Sequence, residues 1–559
     1  MAHANDVPVL VVGAGPAGLT LAAELVRHGV DVRIVDREAA PHDQSRATDI
    51  QSRTLEVFQD MGIASDVIAR GKVRAAVNMI SDGRPYVRIP YEGIDTPYCF
   101  ALGLAQHETE QVIEAHLESL GRRVERGVRL ATLEQDDDAV RATLLSPDGT
   151  WTEPRFEWVV GCDGAHSTVR KSISQPFAGT TFREDFFLAD LRLESQLPDD
   201  EMALCSSSHG MLGVLPLPGD RRVRVFGDLD PGHEAELDEA ACRAMVKART
   251  AGTADARDLA WCSLFRIHTR MVERYRRGRV FLCGDAAHIH SPAGGHGMNT
   301  GVQDAYNLAW KLALVTRKKA HESLLDSYDA ERRPVAKTLL AETDAETRMG
   351  LWRSSIARDA MGLLFKLVGT LPPVRRRILA AQMEIALSYA DSPIVGEKRG
   401  SLLGANVVHD DASEKPSLGD FRSFSHAAGP GARVPDAAIE HGPARSMYEL
   451  LRGPGHTVLL FDGRAPTEAG YRGLASAAGR IRDRFGDSVR VHVIAAVAER
   501  PRALDWAGSL LLDPQLAIHA RYGAGAECLY AIRPDGYVAF RSQPADADAA
   551  IAHLAGYLA

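Results

Sequence analysis

The chain has 559 residues, 45% hydrophobic and 25% charged, with a net charge of -9. That is length for several domains of roughly 100 to 200 residues, and a charge balance that argues against nucleic acid or an anionic membrane as partner. Seven scattered cysteines without a C-x-x-C pair (Cys99, Cys162, Cys205, Cys242, Cys262, Cys283, Cys528) speak against a zinc site or a disulfide framework. With a short polar N-terminus and no long apolar span, the expected home is the cytoplasm.

Val7 to Val12 reads as a buried strand, Pro16 to His28 as a helix turning Leu19, Leu21, Leu25 and Val26 inward, and Val30 to Val35 as a second strand beyond Gly29. The turn between strand and helix, Gly13-Ala14-Gly15-Pro16-Ala17-Gly18, has the spacing G-x-G-x-x-G. Gly13 permits a tight turn, Gly15 lets the backbone approach a pyrophosphate, and Gly18 lets helix and strand pack closely. The helix N-terminus then offers free N–H groups and its positive dipole end to phosphate. Asp36, 18 residues after Gly18, stands where a carboxylate accepts hydrogen bonds from a ribose diol. The loop alone leaves FAD and NAD(P) both open, beside the plainer reading of a glycine turn without a nucleotide.

Phe156 to Gly161 and Arg279 to Cys283 are two further apolar runs, each ending in a Gly/Asp turn that opens toward a helix-like segment, as in parts of one doubly wound sheet. Between them, Phe182 to Phe226 alternates polar and apolar residues and predicts antiparallel strands. Ala330 to about Tyr389 is helical in pattern and Arg-rich, and Asp391 to Pro435 has the composition of a connector. An α/β pattern then restarts, with strands at Thr457 to Phe461, Val489 to Ile494 and Cys528 to Ile532, and helices at Leu474 to Phe485 and Ala545 to Leu558. The expectation is an α/β protein: a Rossmann-like domain from residues 1–175 and 271–345, an inserted β-rich module at 176–270, a helical region and connector at 346–430, and a C-terminal α/β domain at 431–559.

The second junction reads Gly161-Cys162-Asp163-Gly164-Ala165-His166-Ser167-Thr168-Val169-Arg170. The third reads Gly284-Asp285-Ala286-Ala287-His288-Ile289-His290-Ser291-Pro292, followed by Gly294-Gly295-His296-Gly297-Met298-Asn299. With the glycine loop, these resemble the three motifs of single-component FAD-dependent aromatic hydroxylases, over most of residues 5–345. The resemblance implies bound FAD. Its cofactor contacts would be Gly13, Gly15, Ala17 and Gly18 at the glycine loop, Asp36 at the adenosine ribose with Arg37 beside it, Arg46, and Gln106 with Glu110 in the following helix. Asp163 would serve both FAD and NAD(P)H, and Gly284 with Asp285 the ribityl chain. Pro292 and Gly295 would form the catalytic flavin-edge environment, with no side-chain base assigned, and Gly297, Met298 and Asn299 would face the flavin pyrimidine ring. A helix N-terminus there suits an anionic reduced flavin. His296 departs from the glutamine more usual at its position. Plainer readings stand beside these: an Asp between strand and helix is commonly an N-cap, and His288 and His290 lack the further ligands that a metal requires.

There is no second glycine fingerprint, so NAD(P)H has no Rossmann domain of its own, and disulfide-reductase architecture is disfavoured. As the resemblance implies, NAD(P)H reduces FAD, O2 adds at flavin C4a, and the hydroperoxide delivers an electrophilic OH to a phenolic or polycyclic aromatic ring. The protein orients the ring and excludes water. Substrate contacts are expected from the β-rich module and the loop Pro292 to Gly295. Within the module, Phe226 and Phe265 read first as core residues and His209 as an exposed loop residue. The C-terminal stretch resembles the thioredoxin-like domain of the phenol and polyketide hydroxylase branch; lacking C-x-x-C, it suits dimerisation or shielding rather than thiol redox. The alternatives are a flavin monooxygenase acting on an antibiotic or quinone, and a non-catalytic flavoprotein interaction module. A plain NAD-dependent dehydrogenase leaves the second and third motifs without explanation.

Overall fold

The computed structural model describes residues 7–41, 47–229, 237–351, 362, 371–400, 417–464 and 467–559. The chain divides into two units, one of Met1–Ile94, Tyr98–Ala309 and Arg332–Ile385, the other of Asp95–Pro97, Trp310–Glu331 and Ala386–Ala559.

The first unit is built round the strand Val9–Val12, every residue of which is buried. It pairs in parallel with Val32–Asp36 on one side and Trp158–Gly161 on the other. Val124–Arg126 extends the sheet beyond Val32–Asp36, and Val280–Leu282 extends it beyond Trp158–Gly161. Strands buried on both faces read as unbroken apolar runs, which is why these central strands were legible. Their register decides the site. Val12 lies beside Gly161, and Gly161 beside Leu282, so three turns far apart in sequence leave the sheet from one edge. That carboxyl edge is where open parallel sheets bind ligands. The helix Pro16–Arg27 starts there because Pro16 has its φ pre-set for the first helical position, and ends at His28 before the positive-φ Gly29.

An eight-stranded sheet forms the other half of this unit, in the order His288–Ile289, Ala254–Val272, Phe177–Ser195, Arg222–Leu229, Gly210–Pro216, Glu201–Ser207, Ala76–Ser81, Arg84–Pro90. Strand alternation sorts its faces. Phe187, Ala189, Leu191, Val223 and Val225 pack with Cys242 and Val246 of the helix Glu239–Arg249, whereas Leu188, Arg224 and Phe226 face a cavity. The sheet is wider than residues 176–270: the hairpin Ala76–Pro90 supplies its far edge through the parallel pairing of Ala76–Ser81 with Glu201–Ser207. At the opposite edge, His288–Ile289 of the third motif pairs with Arg270 and Met271, so this motif runs from the nucleotide sheet into the eight-stranded one.

The second unit holds a mixed six-stranded sheet, Gly396–Arg399, Val538–Gln543, Cys528–Ile532, His456–Phe461, Val489–Ala495 and Ser509–Leu512. Leu459, Phe461, Ile494, Leu511, Cys528 and Tyr530 share one core. The helix Glu468–Phe485 is capped by Thr467, whose side chain accepts from the Gly470 N–H. Part of the expected connector is ordered structure: Gly396–Arg399 pairs with Val538–Gln543, and Leu418–His426 is a helix with a Ser417/Asp420 capping box. All seven cysteines are free thiols. Among the described residues, no helix is long and apolar enough to cross a membrane.

Candidate active site

The three glycines of the first loop answer to different constraints. A Cβ at Gly13, whose φ is +104°, would lie 2.4 Å from the Cys162 carbonyl oxygen, and one at Gly18 would lie 1.9 Å from the Gly13 oxygen. Both positions exclude side chains for the protein's own packing. A Cβ at Gly15 would meet only Glu110 Oε1, at 4.0 Å. Among the described residues nothing requires a bare backbone there, and a pyrophosphate approaching the helix N-terminus does. Asp36 ties the loop to the end of its strand: Oδ2 accepts from the Ala14 N–H at 2.6 Å and Oδ1 from the Glu38 N–H at 2.8 Å. Arg37 is exposed and paired with Glu38 at 3.0 Å. Gln106 Nε2 donates to Glu110 Oε1 at 2.8 Å, beside Gly15. Arg46 lies outside the described residues.

In the second motif, Asp163 is committed to its own turn. Its carboxylate accepts from Ser167 Oγ at 2.5 Å and from the Thr168 and Val169 N–H groups at 2.6 and 3.1 Å, so it caps the short helix Thr168–Ser172. Burial raises its pKa, partly offset by those bonds. In the third motif, Gly284 takes a positive φ of +59° and packs against Ala17, whose Cβ would stand 3.2 Å from a Cβ at Gly284. Asp285 follows at the cavity wall. Beneath the turn, the fully buried Asp304 accepts from the Gly284 N–H at 3.2 Å, meets His288 Nε2 at 2.8 Å and accepts from Arg332 Nε at 2.6 Å. Burial pushes this carboxyl up, but Arg332 and His288 hold it below the usual range. His290 donates from Nδ1 to the Ser291 oxygen at 2.7 Å, and burial with His288 nearby pushes it down to about 3, which keeps it neutral. The two histidines are thus spent on an acid and a carbonyl; among the described residues, no group of three His, Cys, Asp or Glu side chains could hold a metal ion.

The loop after Pro292 is held by Asn299 together with Asp49, Gln51 and Gln382, which the sequence did not single out. Gly294 and Gly295 both adopt positive φ, +76° and +69°, and a Cβ at Gly295 would lie 2.4 Å from Asp49 Oδ2. Asn299, fully buried, donates from Nδ2 to the Asp49 and Gly295 oxygens, both at 2.8 Å, and accepts at Oδ1 from the Gln51 N–H at 2.9 Å. Its side chain is spent on the protein. Helix geometry leaves the N–H groups of Gly297, Met298 and Asn299 toward a ligand, since among the described residues the Thr300 N–H is the first of this helix to find a carbonyl, that of His296. Gln51 and Gln382 both donate to the Gly294 oxygen, at 3.0 and 2.9 Å. Asp49 is paired with the buried Arg74, which donates to the Pro216 oxygen at 2.8 Å. His296 Nδ1 meets Glu384 Oε1 at 2.9 Å; burial opposes its protonation, but the carboxylate outweighs burial and raises its pKa. Glu384 also accepts from Gln303.

All three turns open on one cavity of about 1480 Å³. Its lining takes Gly15, Cys162 and Asp285 from the three turns, Pro292, Gly295, Gly297 and Met298 from the third motif, and Leu188, Leu204, Phe226, Trp261 and Phe265 from the eight-stranded sheet. A pocket for a single ligand is roughly 300 to 1,000 Å³, so this volume suits a dinucleotide and a second molecule together. Phe226 and Phe265 are wall residues rather than core, because they lie on the cavity side of the sheet, opposite the face packed with the helix Glu239–Arg249; the Phe226 ring fills the space over Gly213, where a Cβ would approach it to 1.9 Å. His209 is exposed, as expected. Arg224 is anchored by two bonds to Asp190, at 2.6 and 2.8 Å, and its guanidinium lies over Trp261.

Comparison with known proteins agrees with this geometry. Residues 6–343 match the FAD binding domain family. The chain is 34% identical over 556 residues to 6-methylpretetramide 4-monooxygenase of Streptomyces rimosus, covering 97% of this chain and 92% of that one. It is 31% identical over 548 residues to pentachlorophenol 4-monooxygenase of Sphingobium chlorophenolicum, covering 96% and 94%. Among solved structures, the ternary complex of aklavinone-11 hydroxylase with FAD and aklavinone is similar at a TM-score of 0.72 and 25% identity, covering 99% of each chain. With three turns converging on one cavity and likeness along nearly its whole length, the chain belongs to the FAD binding domain family and is an FAD-dependent aromatic monooxygenase.

Proposed function

We propose that the enzyme hydroxylates a flat, polycyclic phenolic substrate, with NAD(P)H and O2 as co-substrates. The observation that carries this reading is the continuous cavity, which joins the glycine loop to an apolar sheet face and has room for FAD and a second molecule. Met79, Met202 and Met211 add adaptable contact area to the aromatic wall. The likeness to enzymes named for a pretetramide and for aklavinone supports the same class.

When bound, FAD supplies the oxidising chemistry, passing electrons from NAD(P)H to O2 and one oxygen atom to the ring. The chain's residues do the rest. Gly15 and the N–H groups of the first helix receive the pyrophosphate, while Asp36 and Asp285 accept hydroxyl hydrogens at the adenosine and ribityl ends. The N–H groups of Gly297, Met298 and Asn299 stabilise negative charge at the pyrimidine ring. The positive φ at Gly294 and Gly295 sets the turn that follows Pro292, which would border the reacting edge of the flavin. Leu188, Leu204 and Phe226 hold the ring and keep water out.

In this reading residues 1–175 and 271–345 serve the cofactor, 176–270 with the hairpin Ala76–Pro90 serve the substrate, and the C-terminal thioredoxin-like unit acts in dimerisation or shielding. Seven free thiols suit a reducing compartment, the cytoplasm. Screening phenolic polycyclic compounds beside simple phenols for stimulated NAD(P)H oxidation, with product identification, tests the substrate class. Stimulation confined to single-ring phenols refutes the polycyclic assignment.

A further inference from the structure

Among the described residues, three acidic side chains line the cavity: Asp49, Asp285 and Glu346. Asp49 is committed to Arg74, and Asp285 follows the Gly284 turn at the nucleotide end. Glu346 lies elsewhere, on the helix Asp326–Gly350, and its place relative to the flavin-edge loop is fixed by its neighbour. Thr347 Oγ1 is 2.6 Å from the Oγ of Ser291, the residue before Pro292. Glu346 immediately precedes Thr347 on this helix and lines the same cavity as Pro292, Met349 and, from the helix Pro372–Gln382, Ile378 and Leu379. Among the described residues its carboxyl has no hydrogen-bond or ion-pair partner.

We propose, resting on the reading of the site as an aromatic hydroxylase, that Glu346 is the base that accepts the hydroxyl proton of the phenolic substrate. The substrate O–H bond breaks and a carboxyl O–H bond forms. The electron pair stays on the substrate oxygen and spreads into the ring, which becomes the stronger nucleophile. No electrons are exchanged with the protein, and the carboxyl returns its proton to the same oxygen after the ring carbon has been oxygenated. A half-buried carboxylate in an apolar wall suits the task, because its surroundings disfavour charge until a hydroxyl donates to it. The charged and titratable groups about it are Glu342 on its own helix, His296 and His290 in the third motif, and Arg375, which lines the same cavity from the helix Pro372–Gln382. Burial raises the Glu346 pKa, His296 opposes that shift, and Glu342 adds to it, leaving the carboxyl above its ordinary range and nearer the pKa of a phenol.

The test uses the FAD-loaded enzyme and alizarin, a hydroxyanthraquinone whose colour reports ionisation of its ring hydroxyl, at a pH where the free dye is protonated. Wild type should bind the dye in its ionised colour, Glu346→Gln should bind it protonated, and Glu346→Asp should partly restore ionisation. Glu346→Gln should also lose on the order of 100-fold or more in kcat for a hydroxylated substrate, together with the acid limb of the pH profile, at unchanged FAD content. Equal ionisation by wild type and Glu346→Gln, or a protonated dye in wild type, overturns the assignment. Failure of wild type to bind the dye overturns instead the polycyclic reading of the site, and the base assignment with it.

Discussion

Truncating Asn299 to alanine removes the anchor of the flavin-edge loop without touching the cavity wall. Three hydrogen bonds disappear, two buried and one partly so: those to the Asp49 and Gly295 oxygens at 2.8 Å each, and that from the Gln51 N–H at 2.9 Å. A buried backbone group left without its partner costs about 1 to 3 kcal/mol. Water entering the vacated space relieves part of this, so about 3 kcal/mol in total is the working figure. If FAD must then order the loop as it binds, that energy appears as an affinity loss of roughly 100-fold, at about 1.4 kcal/mol per tenfold. Asn299→Asp should be at least as damaging, since it keeps an acceptor for Gln51 but turns the donor side against two carbonyl oxygens. Titrating apoprotein with FAD by flavin fluorescence, beside a thermal melt of the apoprotein, separates loop anchoring from global unfolding. FAD binding within twofold of wild type in Asn299→Ala would refute the anchoring argument.

Three further outcomes are expected. Gly18→Ala should yield a colourless or misfolded protein because of the 1.9 Å approach to Gly13, whereas Gly15→Ala should melt like wild type yet bind FAD weakly; similar behaviour of the two contradicts the assignment of Gly15 to the ligand. The His296–Glu384 pair has a raised histidine pKa, so its stabilisation is full below the unfolded value near 6.5 and fades as pH rises through the folded one. FAD affinity should therefore decline on that alkaline side in wild type, and Glu384→Gln should flatten the decline; an unchanged profile would sink the coupling. In the second unit, burial, with Asp462 adding to it, pushes Glu527 from 4.5 up to about 7. That penalises folding by up to about 3 kcal/mol above the raised value and by nothing well below 4.5. Glu527→Gln should accordingly melt higher than wild type at pH 8 and alike in acid, and equal melting at pH 8 would contradict the burial argument.

Much of the nucleotide half was legible because its determinants are local: an apolar run, a glycine turn with a physical reason for each glycine, and an acid at the next strand end. Convergence of the three turns could be anticipated from their shared strand-turn-helix form, since parallel strands leave a sheet from the same edge. The hairpin Ala76–Pro90 escaped notice because its partner strand, Glu201–Ser207, lies more than a hundred residues on, and parallel pairing leaves no turn signal. Phe226 and Phe265 showed the alternation of a strand but not which face a helix would cover. Asp163 and Asn299 stood out for their motifs, yet their side chains bind the protein itself, which only coordinates reveal. Gln51, Gln382, Glu384 and Glu346 have no local signature: each matters because a distant segment folds against Pro292 to Asn299.

The most direct test of FAD-dependent aromatic monooxygenation is to supply the purified, FAD-loaded enzyme with NAD(P)H, a phenolic polycyclic substrate and isotopically labelled O2, and to weigh the product. One labelled oxygen atom per hydroxylated ring is expected, formed in step with NAD(P)H oxidation. Product oxygen drawn from water, or NAD(P)H oxidation that no aromatic compound stimulates, would contradict the account.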